Sequence, residues 1–261
     1  MKKHLWFCLF FAAIVFCSCT KPAGQLITKN IDVEGVFTYT SLDVSGAFDV
    51  YVSDTAHTVS ITAGENIMPK IVVKIVDNTL KIYCDKININ TQEMKVIIPH
   101  SAELNTIYLS GAAMLQSPFP IDNNEVIIGL SGASNLFGDI VSNRVSMDLS
   151  GSSYLEGNYA AAATYMELSG ASGVKLSGHT GKLNLVLSGG SYIQKNISGN
   201  QYAFSCDECE ATLSGASKAY IHCTTSIKAN LSGGSGLHYT GDASTDGSTT
   251  TGGSYIIYDV L

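Results

Sequence analysis

Charged side chains make up only 14% of this sequence, and proline occurs just 5 times. With 25 glycines and an ordinary hydrophobic share of 45%, that balance fits short strands joined by glycine turns better than helices. Basic residues are outnumbered 15 to 22, which makes nucleic acid a poor partner. Several chemical signatures are missing. There is no G-x-S-x-G, no H-E-x-x-H and no ordered G-G-x-G-x-D run. The main apolar run, Leu5 to Phe16, is too short to remain as a spanning helix.

That run follows Lys2 and Lys3, the pattern of an export signal. It ends in Phe16-Cys17-Ser18-Cys19 before the polar Thr20-Lys21-Pro22. This resembles a bacterial lipoprotein signal, in which a Cys after a small residue is lipidated and becomes the mature N-terminus; ordinary cleavage nearby is the alternative. Cys19 is the lipidation candidate, and acyl chains at about 0.8 kcal/mol per buried CH₂ would hold the chain on a membrane. Losing Lys2 and Lys3 moves the formal charge from −7 to −9.

What the chain has in abundance is one phrase, Leu-Ser-Gly-small-Ser. It starts at Leu109, Leu130, Leu149, Leu168, Leu187, Leu213 and Leu231, in steps of 21, 19, 19, 19, 26 and 18 residues. A fixed turn phrase at a period near 20 predicts a solenoid. The expected turn glycines are Gly111, Gly132, Gly151, Gly170, Gly189, Gly215 and Gly233. Before each turn apolar residues alternate, as in Val126/Ile128/Leu130, Val145/Met147/Leu149 and Leu183/Leu185/Leu187, the period of a half-buried strand. A second short strand after each turn is read at Leu136, Leu155, Leu176, Ile193, Ile221 and Leu237. The expected fold is all-β, a parallel β-helix or solenoid of two sheets with coils of roughly 19 residues.

Around the repeats the divisions are 1–18 signal, 19–35 tether, 36–105 an N-terminal β region, and 106–261 the repeat solenoid with a C-terminal cap. Val44-Ser45-Gly46-Ala47 is a degenerate early copy of the phrase. Asp77-Asn78 predicts a hairpin between Ile71–Val76 and Thr79–Tyr83. Glu65–Pro69 is expected to make one helical turn. An insertion near Asn196–Phe204 reads as a bulging loop, and the Gly-, Ser-, Thr- and Asp-rich Thr240–Ser254 as a mobile one. Tyr255–Val260 is strand-like and placed to cap the last coil.

Candidate chemistry is thin. Cys206-Asp-Glu-Cys209 has C-x-x-C spacing, but inside a repeat strand it reads as structural thiols or a simple disulfide. Ser172-Gly173-Val174-Lys175 matches S-x-x-K without the helix that chemistry needs. His57, His100, His179, His222 and His238 show no ligand spacing, and Asp242 and Asp246 read as a solvated loop. Acidic residues of the repeats are scattered at Asp139, Asp148, Glu156, Glu167, Asp207, Glu208 and Glu210. Asp54-Thr55-Ala56 resembles an O-glycosylation acceptor of some Gram-negative envelopes, or a plain turn. No catalytic, cofactor or metal residues are assigned.

Ala47–Val52, Val59–Thr62, Glu65–Ile71 and Leu80–Ile82, together with the Ser-Gly-small-Ser turns, resemble the DUF2807 family, the "putative auto-transporter adhesin, head GIN domain". The resemblance covers about residues 36–240. It implies a two-sheet, pectin-lyase-like superhelix without catalytic residues, and a role in cell adhesion.

The expectation is therefore a non-catalytic lipoprotein of a Gram-negative cell envelope, anchored to the outer membrane and binding a glycan or a protein. Ser and Thr on an outer sheet, with Tyr154, Tyr165, Tyr192 and Tyr220 nearby, are the expected contacts. No cofactor is called for, and self-association through open coil ends is left open. The alternatives are a periplasmic structural or sensing lipoprotein that binds an envelope protein, and a carbohydrate-active β-helix enzyme.

Overall fold

The computed structural model describes residues 24–85 and 94–261. The signal segment 1–18 and Cys19 lie outside the described residues. Within them the chain is all-β, built around a large mixed sheet. Its one helical element is a 3-10 turn at Met68–Lys70, where Pro69 supplies the preset φ.

Among the described residues, seven strands precede the repeats: β1 (Leu26–Ile31), β2 (Ser41–Gly46), β3 (Asp49–Ser53), β4 (Val59–Gly64), β5 (Ile71–Val76), β6 (Thr79–Cys84) and β7 (Lys95–Pro99). Next come β8 (Thr106–Gly111), β9 (Met114–Gln116), β10 (Ile121–Leu130), β11 (Asn135–Phe137), β12 (Ile140–Leu149), β13 (Tyr154–Leu168) and β14 (Gly173–Leu187). The rest are β15 (Tyr192–Ile193), β16 (Ile197–Ser198), β17 (Gln201–Tyr202), β18 (Phe204–Leu213), β19 (Lys218–Leu231), β20 (Gly236–Thr240), β21 (Thr249–Thr250) and β22 (Tyr255–Tyr258).

In the N-terminal region β5 and β6 form the expected antiparallel hairpin, with Val76 opposite Thr79. Asp77 and Asn78 take φ of 48° and 57°, the left-handed pair that a two-residue type I′ turn requires. The early copy of the repeat phrase is real. β2 runs parallel to β8 with Gly46 on Gly111, and it also runs parallel to β6 on its other side. Likewise β3 lies between β7 and β9. The antiparallel strands β5, and β4 with β1, then flank these parallel ladders. Leu26–Ile31, inside the stretch read as a tether, is thus a paired strand with mostly exposed side chains.

Through the repeats, pairing is parallel and places Leu109, Leu130, Leu149, Leu168, Leu187, Leu213 and Leu231 in one register column. All seven are buried, as are their inward partners such as Val126, Ile128, Val145 and Met147. Each buried leucine contributes about 1.5–3 kcal/mol of transfer free energy. One residue per repeat drops out of the ladder, at Asn124, Asn143, Ala162, Gly181 and Asp207 in turn. Asn143 Nδ2 donates to Asn124 Oδ1 across one such break, at 2.7 Å.

Four expectations need correcting. The second inward column runs Leu136, Leu155, Val174 and Ile193, then Ala219, Leu237 and Ile256. Leu176 and Ile221 lie two residues further along, still inward because the strand period is two. Twenty strands join into one pairing network rather than two separate sheets, because β13 and β14 run unbroken while Glu156–Asn158 keep pairing with Lys175–Ser177. The insertion is an antiparallel hairpin, β16 with β17, rather than a loop. Finally, the stretch read as a mobile loop carries a further copy of the phrase without leucine. Thr250 pairs with Leu231, and the Gly253 amide donates to the Gly233 carbonyl at 2.7 Å. At this edge the backbone and glycine set the turn without a core residue.

Candidate functional site

The repeat phrase itself is structural. Its glycines stack one on the next with φ between 68° and 76°, a left-handed conformation closed to most side chains. A Cβ on Gly151 would sit 2.5 Å from the Gly132 carbonyl oxygen, and one on Gly170 2.6 Å from that of Gly151. The last serine of each phrase is turned inward. Ser134, Ser153, Ser172, Ser191, Ser217 and Ser235 are all buried. Ser172 Oγ is 3.1 Å from the Leu149 carbonyl and 2.8 Å from that of Ser169, and Ser191 Oγ donates to Leu168 at 3.0 Å. These hydroxyls satisfy turn carbonyls and are not available to a ligand, whereas Ser146 on the outward alternation is exposed and Ser150 and Ser188 are half-exposed.

Tyrosines occupy three of the outward positions after the turns. The register there runs Asn135, Tyr154, Gly173, Tyr192, Lys218, then Gly236 and Tyr255. Two tyrosines lie across a glycine one repeat earlier. A Cβ on Gly173 would be 2.3 Å from Tyr192 Cζ, and one on Gly236 2.5 Å from Tyr255 Cζ. Tyr220 stacks on His238 at 4.6 Å with 16° between planes, and Tyr255 meets His238 edge-on at 5.5 Å. Phe137 meets Tyr154 at 6.4 Å. The Tyr154 hydroxyl lies 3.1 Å from Glu156 Oε2 and 3.2 Å from Gln194 Oε1. Lys175 Nζ sits 2.6 Å from Glu156 Oε1 and holds that carboxyl below the usual range. Burial, then the bond to Glu156, pushes the Tyr154 hydroxyl up.

Tyr165, grouped with these tyrosines from the sequence, belongs to the other outward face. There Tyr108 lies over Gly129, whose added Cβ would meet Tyr108 Cδ1 at 2.7 Å. Asp43, Tyr108, Ile127, Ser146 and Asp148 line a groove of about 490 Å³ on this face. Asp148 pairs with Glu167, so two carboxylates stand side by side. Tyr165 hydrogen-bonds Glu167 Oε2 at 2.9 Å, and that bond raises its hydroxyl above the ordinary value.

The catalytic candidates are disarmed. Ser172 is spent on the carbonyls above, while Lys175 is held by Glu156. Cys206, Cys209 and Cys223 are buried free thiols, with Cys206 and Cys223 partners in the ladder. The neighbouring Cys209 and burial keep Cys206 protonated, and Cys206 and burial do the same for Cys223, the reverse of a reactive thiolate.

One constellation escaped the sequence reading. His179 Nδ1 lies 3.1 Å from Ser205 Oγ, and its Nε2 3.5 Å from Asp207 Oδ2. Ser205 Oγ is also 3.0 Å from the Gly178 carbonyl, which can only accept. With the hydroxyl proton directed there, His179 donates to Ser205 rather than withdrawing its proton, the wrong polarity for a nucleophile. Only the parallel register, His179 on Ser205, brings these residues together.

The other histidines are dispersed: His57 near Phe37, His100 against Phe119, and His222 on Thr240. Among the described residues no group of three His, Cys, Asp or Glu side chains is placed to hold a metal ion. Thr55 is exposed in the turn between β3 and β4, within 3.0 Å of Ser53 Oγ.

Residues 38–243 match the family model described as DUF2807, "putative auto-transporter adhesin, head GIN domain". The chain belongs to the DUF2807 family. Among solved structures, this DUF2807 chain is similar to a "putative adhesin" from Parabacteroides merdae, with a TM-score of 0.80 at 18% identity, over 91% of this chain and 98% of that one. A "putative adhesin" from Parabacteroides distasonis gives 0.76 at 20% identity, over 92% and 97%. A "putative lipid binding protein" from the same species gives 0.76 at 19%, over 90% and 97%. At such identities the likeness establishes a shared fold. No curated protein matches the chain in sequence.

Proposed function

We propose that this DUF2807 chain is a non-catalytic binding module of the bacterial cell envelope, a parallel β-solenoid held on the outer membrane by a lipid at Cys19. Its division into signal 1–18, tether 19–35, N-terminal β region 36–105 and repeats 106–261 belongs to the same reading. The ligand is a glycan, met by the aromatic outward face.

One observation carries the reading: Tyr192 and Tyr255 lie across glycines on the same face as Tyr154 and Tyr220. A ring lying on the sheet presents its π-face to solvent, the surface on which the C–H side of a sugar packs. The adhesin names of the similar structures support a binding role. The committed states of Ser172, Cys206, Cys223 and Ser205 support a protein without turnover.

The test is a glycan and matrix array with the purified chain, alongside lipid vesicles suggested by the third neighbour's name. Saturable binding to one sugar class, lost in Tyr192→Ala, is the expected result. Silence across sugars with binding to an envelope protein would install the second reading, a periplasmic structural or sensing lipoprotein. The Asp148–Glu167 pair is the one feature that favours an enzyme. Polysaccharide turnover abolished by Asp148→Asn would overturn the non-catalytic reading.

A further inference from the structure

The aromatic face contains one groove with a charge of its own. Tyr192, Gln194, Lys195, Lys218 and Tyr220 line a cavity of about 330 Å³, within the range of small-molecule sites. Lys218 is the register partner of Tyr192, so an ammonium group and a phenol ring stand side by side. The chain carries a formal charge of −7, and Lys175 on this face is engaged, 2.6 Å from Glu156 Oε1. Among the described residues neither Lys195 nor Lys218 has an ion-pair partner. The Tyr154 hydroxyl, near Gln194 Oε1, leaves the Gln194 Nε2 group free to donate.

We infer that this groove binds an acidic sugar unit, stacked on Tyr192 beside Tyr220, with its carboxylate or sulfate between Lys195 and Lys218. This rests on the glycan reading and adds the charge of the ligand. Each half of the site answers one half of such a sugar. The ring faces take its apolar side, while two ammonium groups and an amide N–H take its anion and hydroxyls. The net negative charge of the chain disfavours diffuse polyanion binding, so the contact is local to this groove. Because the lysines are exposed, added salt weakens the contact.

The experiment titrates the purified full chain with polygalacturonate, heparin and neutral dextran. It compares the wild type with Lys195→Gln/Lys218→Gln and with Tyr192→Ala, after checking that melting is unchanged. Binding of at least one acidic polymer over dextran, weakened about tenfold or more by the double lysine change and again by Tyr192→Ala, is the expected result. Binding of polygalacturonate shows that a carboxylate suffices, whereas binding of heparin alone, which carries both groups, assigns the requirement to sulfate. Dextran bound as well as the acidic polymers, with the lysine variant unaffected, overturns this inference and leaves the glycan reading standing. Polyanion binding indifferent to both variants overturns the site. Silence with every polymer overturns this inference together with the reading beneath it.

Discussion

The hydroxyl of Tyr202 donates a hydrogen bond to the carboxylate of Asp259, joining the inserted hairpin to the last residues of the chain. Tyr202 is fully buried, and the same Asp259 oxygen lies 3.0 Å from His238 Nδ1. Asp259→Ala therefore strands a buried hydroxyl and removes the partner of a histidine. The expected cost is about 1–3 kcal/mol, read by chemical denaturation, with earlier proteolytic release of β22. An unchanged midpoint would show that the contact contributes nothing.

Alkaline pH should weaken the fold on a defined side of neutrality. Burial pushes the hydroxyls of Tyr39 and Tyr159 above the ordinary 10.0, and burial followed by Asp259 does so for Tyr202. The fold holds these protons more tightly than the unfolded chain does. Their stabilisation is complete below the unfolded value and is lost as pH rises beyond it. Cys206 and Cys223 act in the same direction from 9.0. Melting temperature should stay level up to about pH 9 and then fall, less steeply in Tyr202→Phe.

Two glycine substitutions separate strain from collision. Gly199 has φ +63° with nothing within 4 Å of an added Cβ, so Gly199→Ala should cost about 1–2 kcal/mol from the left-handed backbone alone. Gly151→Ala carries the same conformational cost and also drives a methyl into the Gly132 carbonyl at 2.5 Å. It should lower stability by clearly more, and denaturation of both variants under one condition decides it.

Serines of one phrase should differ by position. Ser172 is buried and bonded to two carbonyls, whereas Ser169 at the phrase's second place is half-exposed. Ser172→Ala should lose about 1 kcal/mol or more, with Ser169→Ala near neutral. Equal losses at both would contradict the inward turn of the last serine.

Thiol chemistry gives an independent check on the core. Cys206, Cys209 and Cys223 are buried, and Cys84 is half-buried. In the chain from Thr20 onward a thiol reagent should label Cys84 first, and the other three only on unfolding.

Much of the fold was legible because its core residue and its turn residue recur together. Leu149 and Gly151 serve the same backbone geometry as Leu168 and Gly170, so equal spacing meant equal structure. Where one of the pair is missing, the reading failed. Thr250 and Gly252 keep the turn without a leucine, and a polar composition disguised a paired strand as a loop. The aromatic face was half legible. Tyr154 and Tyr192 follow a turn, while Tyr165 precedes one by three residues, which assigns it to a different outward face. A signal for the flat rings was present: glycine and tyrosine stand one register step apart at Gly173 and Tyr192, and again at Gly236 and Tyr255. The Ser205–His179 contact gave no such signal, since it depends on how many residues the inserted hairpin adds.

The position of β2 between β6 and β8 has a consequence for how the chain acquires its structure. A ribosome or export channel delivers residues N-terminus first, so Ser41–Gly46 emerges before either strand that will flank it. One neighbour arrives with Thr79–Cys84 and the other with Thr106–Gly111. Until then its polar backbone has no ladder to join, and Leu42 and Val44 lack the strands that flank them. The later repeats each find the preceding one already in place. The slow step in assembly is therefore expected near the beginning of the chain, with everything from β10 onward following by addition.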